Sequence, residues 1–395
     1  MTDPIMHTYG RLPVAFAKGE GCWLWDEDGQ RYFDAISGVA VCNLGHAHPA
    51  VAKAVAEQAA TLVHTSNLYR IPLQEQLAAE LVRLAGMDRA FFCNSGAEAN
   101  EAAIKLARLH GHRNGIHQPT IVVAQGAFHG RTMATLTATG NARVQQGFEP
   151  LVQGFIRVPY NDLETLERIA AADPNVVAVL VEPVQGEGGV RVPEPGYLGA
   201  LRQLCNQMGW LMMVDEVQTG IGRTGRWFAC QHEGVVPDVM TLAKGLGNGF
   251  PIGACLASGI AADVFTPGNH ATTFGGSPLA CSAALAVLRT IEHDQLTERA
   301  AHLGSRLLEG LVDRLGQTAG VETVRGHGLM VGIVLDRPCG ELVGRALKRG
   351  LLLNVTAERV VRLLPPLVMS DAEADFLADQ VASLLHDFLT EKEAA

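Results

Sequence analysis

Two short apolar runs in this 395-residue chain end in groups that could do chemistry together. Leu211-Met212-Met213-Val214 runs into the acids Asp215 and Glu216, with Val217 and Gln218 just beyond. Met240-Thr241-Leu242-Ala243 runs into Lys244 and Gly245. In a parallel α/β sheet, ligands bind at the carboxyl ends of strands. A carboxylate and an amine placed at two strand ends would therefore face one crevice. There the amine could bond a carbonyl carbon, and the carboxylate could hold a protonated ring nitrogen.

Other residues extend this set. Ser95, with Glu98 three residues later, reads as the start of a capped helix whose first residues, Gly96 and Ala97, are small. The free N–H groups of such a helix end suit a phosphate. Phe128 follows the apolar run Thr120-Ile121-Val122-Val123-Ala124 and could stack on a flat ligand. Arg131, three residues on, could grip a carboxylate with both arms of its guanidinium. A third buried run, 176–181, closes on Glu182-Pro183, with Glu187 five residues past Glu182. Each residue has an ordinary structural reading: a capped helix, a core ring, a surface ion pair, a solvated lysine. The conjunction suits pyridoxal 5′-phosphate, whose aldehyde needs an amine, whose ring nitrogen needs an acid, and whose phosphate needs a helix end.

The elements that must position these groups can be read in outline. Two aromatic runs around Asp26-Glu27-Asp28-Gly29-Gln30 predict a β-hairpin within 21–36. Helical patterning covers 50–63, 73–85, 160–172 and 196–208, and Ala99, Ala102, Ala103, Leu106 and Ala107 share one helical face. Strands alternating with helices through 90–260 predict a mostly parallel sheet. From about 290 charged helices alternate with short strands. These include 332–335 and 351–353, and the segment also holds Arg362. A final helix is predicted to open on a Ser370–Glu373 capping box and to bury Leu377, Val381, Leu384, Leu385 and Phe388. The expected fold is α/β, with a large domain over 46–285 and a small α+β domain built from 1–45 and 286–395.

Composition narrows the classes. Apolar residues make up 48% and charged residues 18%, enough for a sizeable core, and the net charge of −10 argues against nucleic acid or anionic membranes as partners. Eight cysteines without a CxxC pair suggest reduced thiols, and Met1-Thr2-Asp3-Pro4 lacks the look of a signal peptide, so a soluble cytoplasmic protein is expected. His46 and His48 have no third ligand nearby, and no metal is expected. Gly220-Ile221-Gly222-Arg223-Thr224-Gly225 matches a dinucleotide fingerprint. It lacks the long helix after it and the acid about 20 residues on, which NAD binding requires. No GxSxG elbow supports a serine hydrolase.

The ordered stretches 94–102, 128–132, 182–189, 215–220, 243–245 and 272–276 make the chain resemble the class III, or ω-amino acid, aminotransferases of PLP fold type I, the aspartate aminotransferase-like fold. The resemblance runs over essentially the whole chain. It implies that Lys244 bonds the cofactor aldehyde and shuttles the proton. It implies that Asp215 holds the pyridinium nitrogen beside Val217, and that Gln218 donates to the phenolate oxygen. By the same resemblance, Ser95, Gly96 and Ala97 cradle the phosphate, Phe128 stacks on the ring, and Thr273 reaches the phosphate from the second subunit of a homodimer with shared sites. Arg131 and Thr272 would meet substrate. Glu187 and Arg362 would form a switch between an ω-amine donor and the diacid glutamate. Val39, apolar where ornithine-directed members carry tyrosine, favours an acylated ornithine. Asn is common in the family where this chain has Ser277, and a helix-capping role is expected of either. The implied reaction moves the δ-amine of N2-acetylornithine to 2-oxoglutarate, giving N-acetylglutamate 5-semialdehyde and glutamate, a step of arginine biosynthesis. Succinylornithine, N-succinyl-diaminopimelate or 4-aminobutyrate as donors, an aminomutase on the same fold, and a non-catalytic binding subunit are the alternatives.

Overall fold

The computed structural model describes residues 4–391; residues 1–3, where the absence of a signal peptide was expected, and 392–395 lie outside the described part. The N-terminal strands are β1 (Phe16–Glu20), β2 (Trp23–Asp26) and β3 (Arg31–Asp34). β2 and β3 form the expected hairpin, with Trp23 opposite Phe33.

Seven strands then build the main sheet: β4 (Arg89–Cys93), β5 (Thr120–Ala124), β6 (Phe155–Val158), β7 (Val176–Val181), β8 (Leu211–Asp215), β9 (Val239–Leu242) and β10 (Gly253–Ala257). Their order across the sheet is β4-β10-β9-β8-β7-β5-β6. Five of them, β9 to β6 in that order, run parallel, while β10 runs antiparallel to both neighbours. Continuous apolar strands fit this arrangement, because helices cover both faces of a parallel sheet.

Strand alternation decides where the chemistry points. Along β8, Met212 and Val214 join one core cluster, and Leu211 and Met213 join the other, on the opposite face. Asp215 therefore lies on the Leu211–Met213 face, against the helix Gly96–Arg113, whose Ala102, Ala103, Leu106 and Ala107 fill that cluster. Glu216 turns the other way. It accepts from Cys230 N and Thr219 Oγ1 and plays no part in the crevice.

The C-terminal part forms an antiparallel sheet from β11 (Val321–His327), β12 (Met330–Leu335), β14 (Asn354–Thr356) and β15 (Val360–Leu363). β13 (Leu351–Leu352) instead pairs in parallel with β3, joining the two ends of the chain in one sheet. The last helix, Asp371–Glu391, opens on the expected capping box: Ser370 Oγ accepts from Glu373 N, and Glu373 accepts from Ser370 N. Its five predicted core residues are all buried.

The glycine-rich loop 220–225 has a structural task. It carries Arg223 into the interior, where the guanidinium donates to Asn43 Oδ1 at 2.6 Å, to Leu329 O at 3.0 Å and to Pro365 O. One side chain thus ties together three segments far apart in sequence. Among the described residues no helix is long and apolar enough to cross a membrane.

Candidate active site

The carboxyl ends of β5, β7, β8 and β9 open onto one cavity of about 400 Å³, lined by Ser95, Gly96, Ala97, Phe128, Arg131, Glu187, Asp215, Val217, Gln218 and Lys244, among others. Residues up to 211 positions apart in sequence, Val41 and Ile252, are brought to this one place.

Asp215 is 4% exposed and receives three donors. Asn100 Nδ2 and His129 Nδ1 reach Oδ2 at 2.7 and 2.8 Å, and Val217 N reaches Oδ1 at 3.0 Å. Asn100 is itself fixed, since its Oδ1 accepts from Thr241 Oγ1 at 2.8 Å. Thr241 stands opposite Asp215 in the β8–β9 register, so neighbouring strands and the covering helix orient one carboxylate. Sequence reasoning did not pick out Asn100 or His129 as site residues. Helical spacing held a signal for the first, because Asn100 is four residues after Gly96 and shares its face.

Lys244 sits just past β9 with φ of 45°, in the left-handed region. Burial pushes its ammonium down to about 8; Glu187 pulls it back up and Arg362 presses it further down. Among the described residues no hydrogen bond reaches its Nζ, so the amine stands free in the cavity.

The helix Gly96–Arg113 begins as expected, with Ser95 Oγ accepting from Glu98 N. The Glu98 carboxylate differs from the simple capping box. It reaches one residue further back, to Asn94 N at 2.7 Å, because Asn94 also offers its side-chain amide at 3.1 Å. Gly96 has no room for a side chain: a Cβ there would lie 2.7 Å from Val217 Cγ1. That contact presses the helix end onto the loop after Asp215.

Glu187 and Arg362 meet across the cavity wall, with Nη1 to Oε1 at 2.7 Å. The same Nη1 donates to Gln218 Oε1 at 3.2 Å, and Nε donates to Asn354 Oδ1 at 2.9 Å. Burial by itself would raise the Glu187 carboxyl; the adjacent Arg362 charge outweighs it and holds it below its ordinary value. Arg131 is exposed at the rim, its guanidinium 5.7 Å from the centre of the Phe128 ring, and it makes no ion pair among the described residues.

Three expected residues are not in the cavity of the single chain. Thr272 and Thr273 line a separate surface pocket with Asn94, Glu98 and Phe274. Val39 lies in a turn, 37–40, in which four successive residues have φ between 43° and 67°, and it packs against the cluster of Val184, Val190, Met330 and Leu364. Val41, two residues on, lines the cavity instead. Ser277 caps the helix Pro278–His293 by accepting from Ala280 N, the role expected of it. His46 is the ion-pair partner of Asp34 at 2.7 Å.

The family described as aminotransferase class-III matches residues 5–385. The chain is a class III aminotransferase. It is 60% identical to an acetylornithine aminotransferase of Nitrosomonas europaea, with 98% of each chain covered, and 52% identical to one of Gloeobacter violaceus, with 94% of this chain and 93% of that one covered. Among solved structures it resembles an ornithine aminotransferase of Toxoplasma gondii, with a TM-score of 0.94 at 34% identity over 99% of this chain and 94% of that one. It also resembles an acetylornithine aminotransferase of Elizabethkingia anophelis, with a TM-score of 0.86 at 36% identity over 96% of each.

Aminotransferases of this class use pyridoxal phosphate. The residues of this cavity fit that group. A half-buried amine without a hydrogen-bond partner, a fixed carboxylate on the sheet side and a helix end with free N–H groups are the donor set the cofactor calls for. The Nε2 of His129, buried and unpartnered, adds a further polar atom under the same face.

Proposed function

We propose that this aminotransferase moves the δ-amino group of N2-acetyl-L-ornithine to 2-oxoglutarate, giving N-acetyl-L-glutamate 5-semialdehyde and L-glutamate. The observation that carries this reading is the Arg362–Glu187 pair beside a free Arg131. A donor with one carboxylate needs one cation, and Arg131 offers it. Glutamate brings a second carboxylate and needs a second cation, which Arg362 can supply once Glu187 gives way. The names of the relatives supply the acetyl group.

Bound pyridoxal phosphate supplies a carbonyl that takes up the amine and a ring that accepts the electron pair left when a proton leaves the amine-bearing carbon. The chain's own residues do the rest. Lys244 Nζ would hold the cofactor at rest and then carry that proton. Its lowered pKa keeps part of it neutral near neutrality, as a base must be. Asp215 would hold the ring nitrogen, with Val217 beside it, and Gln218 the phenolic oxygen. The N–H groups of Gly96 and Ala97, with Ser95, would hold the phosphate, and Phe128 would flank the ring.

We read the active form as a homodimer in which Thr273 and Thr272 of a second copy complete the site. The loop that bears them is exposed and carries Phe274, 64% exposed; Asn67 ties it to the neighbouring Leu68 and Tyr69, 87% and 70% exposed. Apolar groups of that size on one surface suit a protein contact. We also read 46–285 as the large cofactor-binding unit and 1–45 with 286–395 as the small one, a division supported by the β3–β13 pairing. A cytoplasmic location fits eight cysteines that are all free.

A donor panel tests the proposal: acetylornithine, succinylornithine, ornithine and 4-aminobutyrate, each with 2-oxoglutarate, compared by kcat/KM. Acetylornithine should rank first. A higher value for free ornithine or 4-aminobutyrate, or amino transfer within one substrate without an acceptor, would overturn it.

A further inference from the structure

Glu182 follows β7, lines the cavity, and has no part in the roles above. Strand alternation puts it on the same face as Asp215, since Leu180 belongs to the cluster that Met213 joins. The residue is 5% exposed. Its two carboxyl oxygens accept one N–H each, and both donors are backbone. Phe128 N reaches Oε2 at 3.0 Å, and Gly186 N reaches Oε1 at 3.2 Å.

These two amides belong to different loops. The first loop follows β5 and carries Phe128 and Arg131. The second follows β7 and carries Glu187, the partner of Arg362. Gly186 packs closely on the Gln218 amide, where a Cβ would overlap Oε1 at 2.0 Å, and Gln218 also touches Arg362. The titratable groups around Glu182 include His129, Asp215 and Lys244, all at the cavity. Burial pushes its carboxyl up to about 7, and the two backbone donors oppose that rise. A carboxyl in such a place is unfavourable unless its oxygens are satisfied, and here two loops satisfy them.

We propose that Glu182 is a positioning residue that couples the ring-stacking wall at Phe128 to the loop bearing Glu187, so that loading the cofactor also sets the Glu187–Arg362 pair. The proposal rests on the roles given above to Phe128 and Glu187 and adds the link between them. Phe128, placed to flank the ring, would have its backbone steadied when the cofactor is bound. Glu182 passes that restraint to Gly186, one residue from Glu187.

The test uses the full-length protein with and without pyridoxal phosphate, read by amide hydrogen exchange with fragment-resolved mass spectrometry. In the wild type, cofactor should slow exchange at the Phe128 and Gly186 amides together, by about tenfold or more. Glu182→Gln keeps one accepting oxygen and turns an NH₂ towards the other donor, so it can hold only one loop. In that variant the two amides should no longer respond together. The dissociation constant for pyridoxal phosphate, titrated by visible absorbance, should rise by about tenfold. The KM for 2-oxoglutarate should move by about fivefold or more relative to that of the monocarboxylate donor.

Tyr160→Phe is the control. It removes two bonds to the carbonyls of Glu182 and Pro183 and leaves the carboxyl alone. It should leave both the joint exchange response and the KM ratio as in the wild type. Slowing at Phe128 without Gly186 in the wild type would overturn the proposal, as would the same changes in Tyr160→Phe as in Glu182→Gln. If Glu182→Gln does not fold, the wild-type exchange data decide alone. Should acetylornithine prove not to be the donor, that would show as absent wild-type turnover, while the exchange result would stand or fall separately.

Discussion

Arg362 Nη1 stands 2.7 Å from Glu187 Oε1, and the two side chains are unequally buried: the guanidinium is 1% exposed and the carboxylate 38%. Arg362 is also held by Asn354 and Gln218. Glu187 is open on one side. Glu187 is therefore the more exposed member of the pair, and Arg362 the one held on several sides.

Arg362→Ala should raise the KM for 2-oxoglutarate by about tenfold or more, because a charge-assisted contact to the second carboxylate is lost. The KM for acetylornithine should change much less. Glu187→Ala should do the reverse, leaving 2-oxoglutarate bound as well or better and weakening the preference for the acylated donor. Steady-state kinetics with each substrate varied in turn will tell. Equal effects of both variants on both substrates would show that the pair is only a brace.

Lys244→Ala should lower kcat by roughly a thousandfold or more, since it removes both the nucleophile and the proton carrier. The cavity keeps its other contacts, so the variant should fold and still take up pyridoxal phosphate, now without a covalent link. Mass spectrometry after borohydride reduction reads the link directly. A cofactor mass still attached to the chain in Lys244→Ala would assign the bond to another amine.

Much of this site could be read from the chain alone, for a physical reason. Asp215 and Lys244 sit at the ends of buried strands, where a charged residue is conspicuous against apolar neighbours. Alternation along β8 then sends Asp215 and Glu216 to opposite faces, which explains why only one of two adjacent acids lines the cavity. Asn100 and His129 were harder. Their task is to orient Asp215, and that shows only once a helix and a loop are packed on the sheet. The turn at 37–40 was opaque for a different reason. Only Gly38 in it advertises a left-handed backbone, yet Ser37, Val39 and Ala40 share the conformation. That turn carries Val41, not Val39, to the cavity. Thr272 and Thr273 lie outside the cavity of one chain, on a loop whose course their own polar, glycine-rich pattern does not fix.

Asp215→Asn should keep some cofactor and lose most of the rate. Three donors converge on the carboxylate, and an amide there turns its NH₂ against one of them. That mismatch should cost about 1–3 kcal/mol of stability, read as a lower midpoint in thermal unfolding. The larger effect should be on kcat, because an amide is a poorer partner for a protonated ring nitrogen. A variant with unchanged kcat and lowered stability would reduce Asp215 to a structural residue.

The Asp34–His46 pair gives a pH dependence that can be separated from the chemistry. Burial alone would lower the His46 pKa, but the Asp34 carboxylate 2.7 Å away and the nearby Cys42 outweigh it and hold it up at about 9, against an ordinary 6.5. A histidine raised on folding stabilises fully below its unfolded pKa, and the benefit fades as pH climbs through the folded one. The wild type should therefore exceed His46→Asn in stability by the most below pH 6.5, by about 2 kcal/mol after allowing for partial exposure. The gap should narrow between 6.5 and about 9 and level off above that. Asp34 also accepts from Ile36 N and Ser37 N, so the pair braces the left-handed turn beside the cavity. Urea unfolding of both proteins across this range measures the gap. A difference that stayed constant with pH would mean that His46 acts there by packing and not by charge.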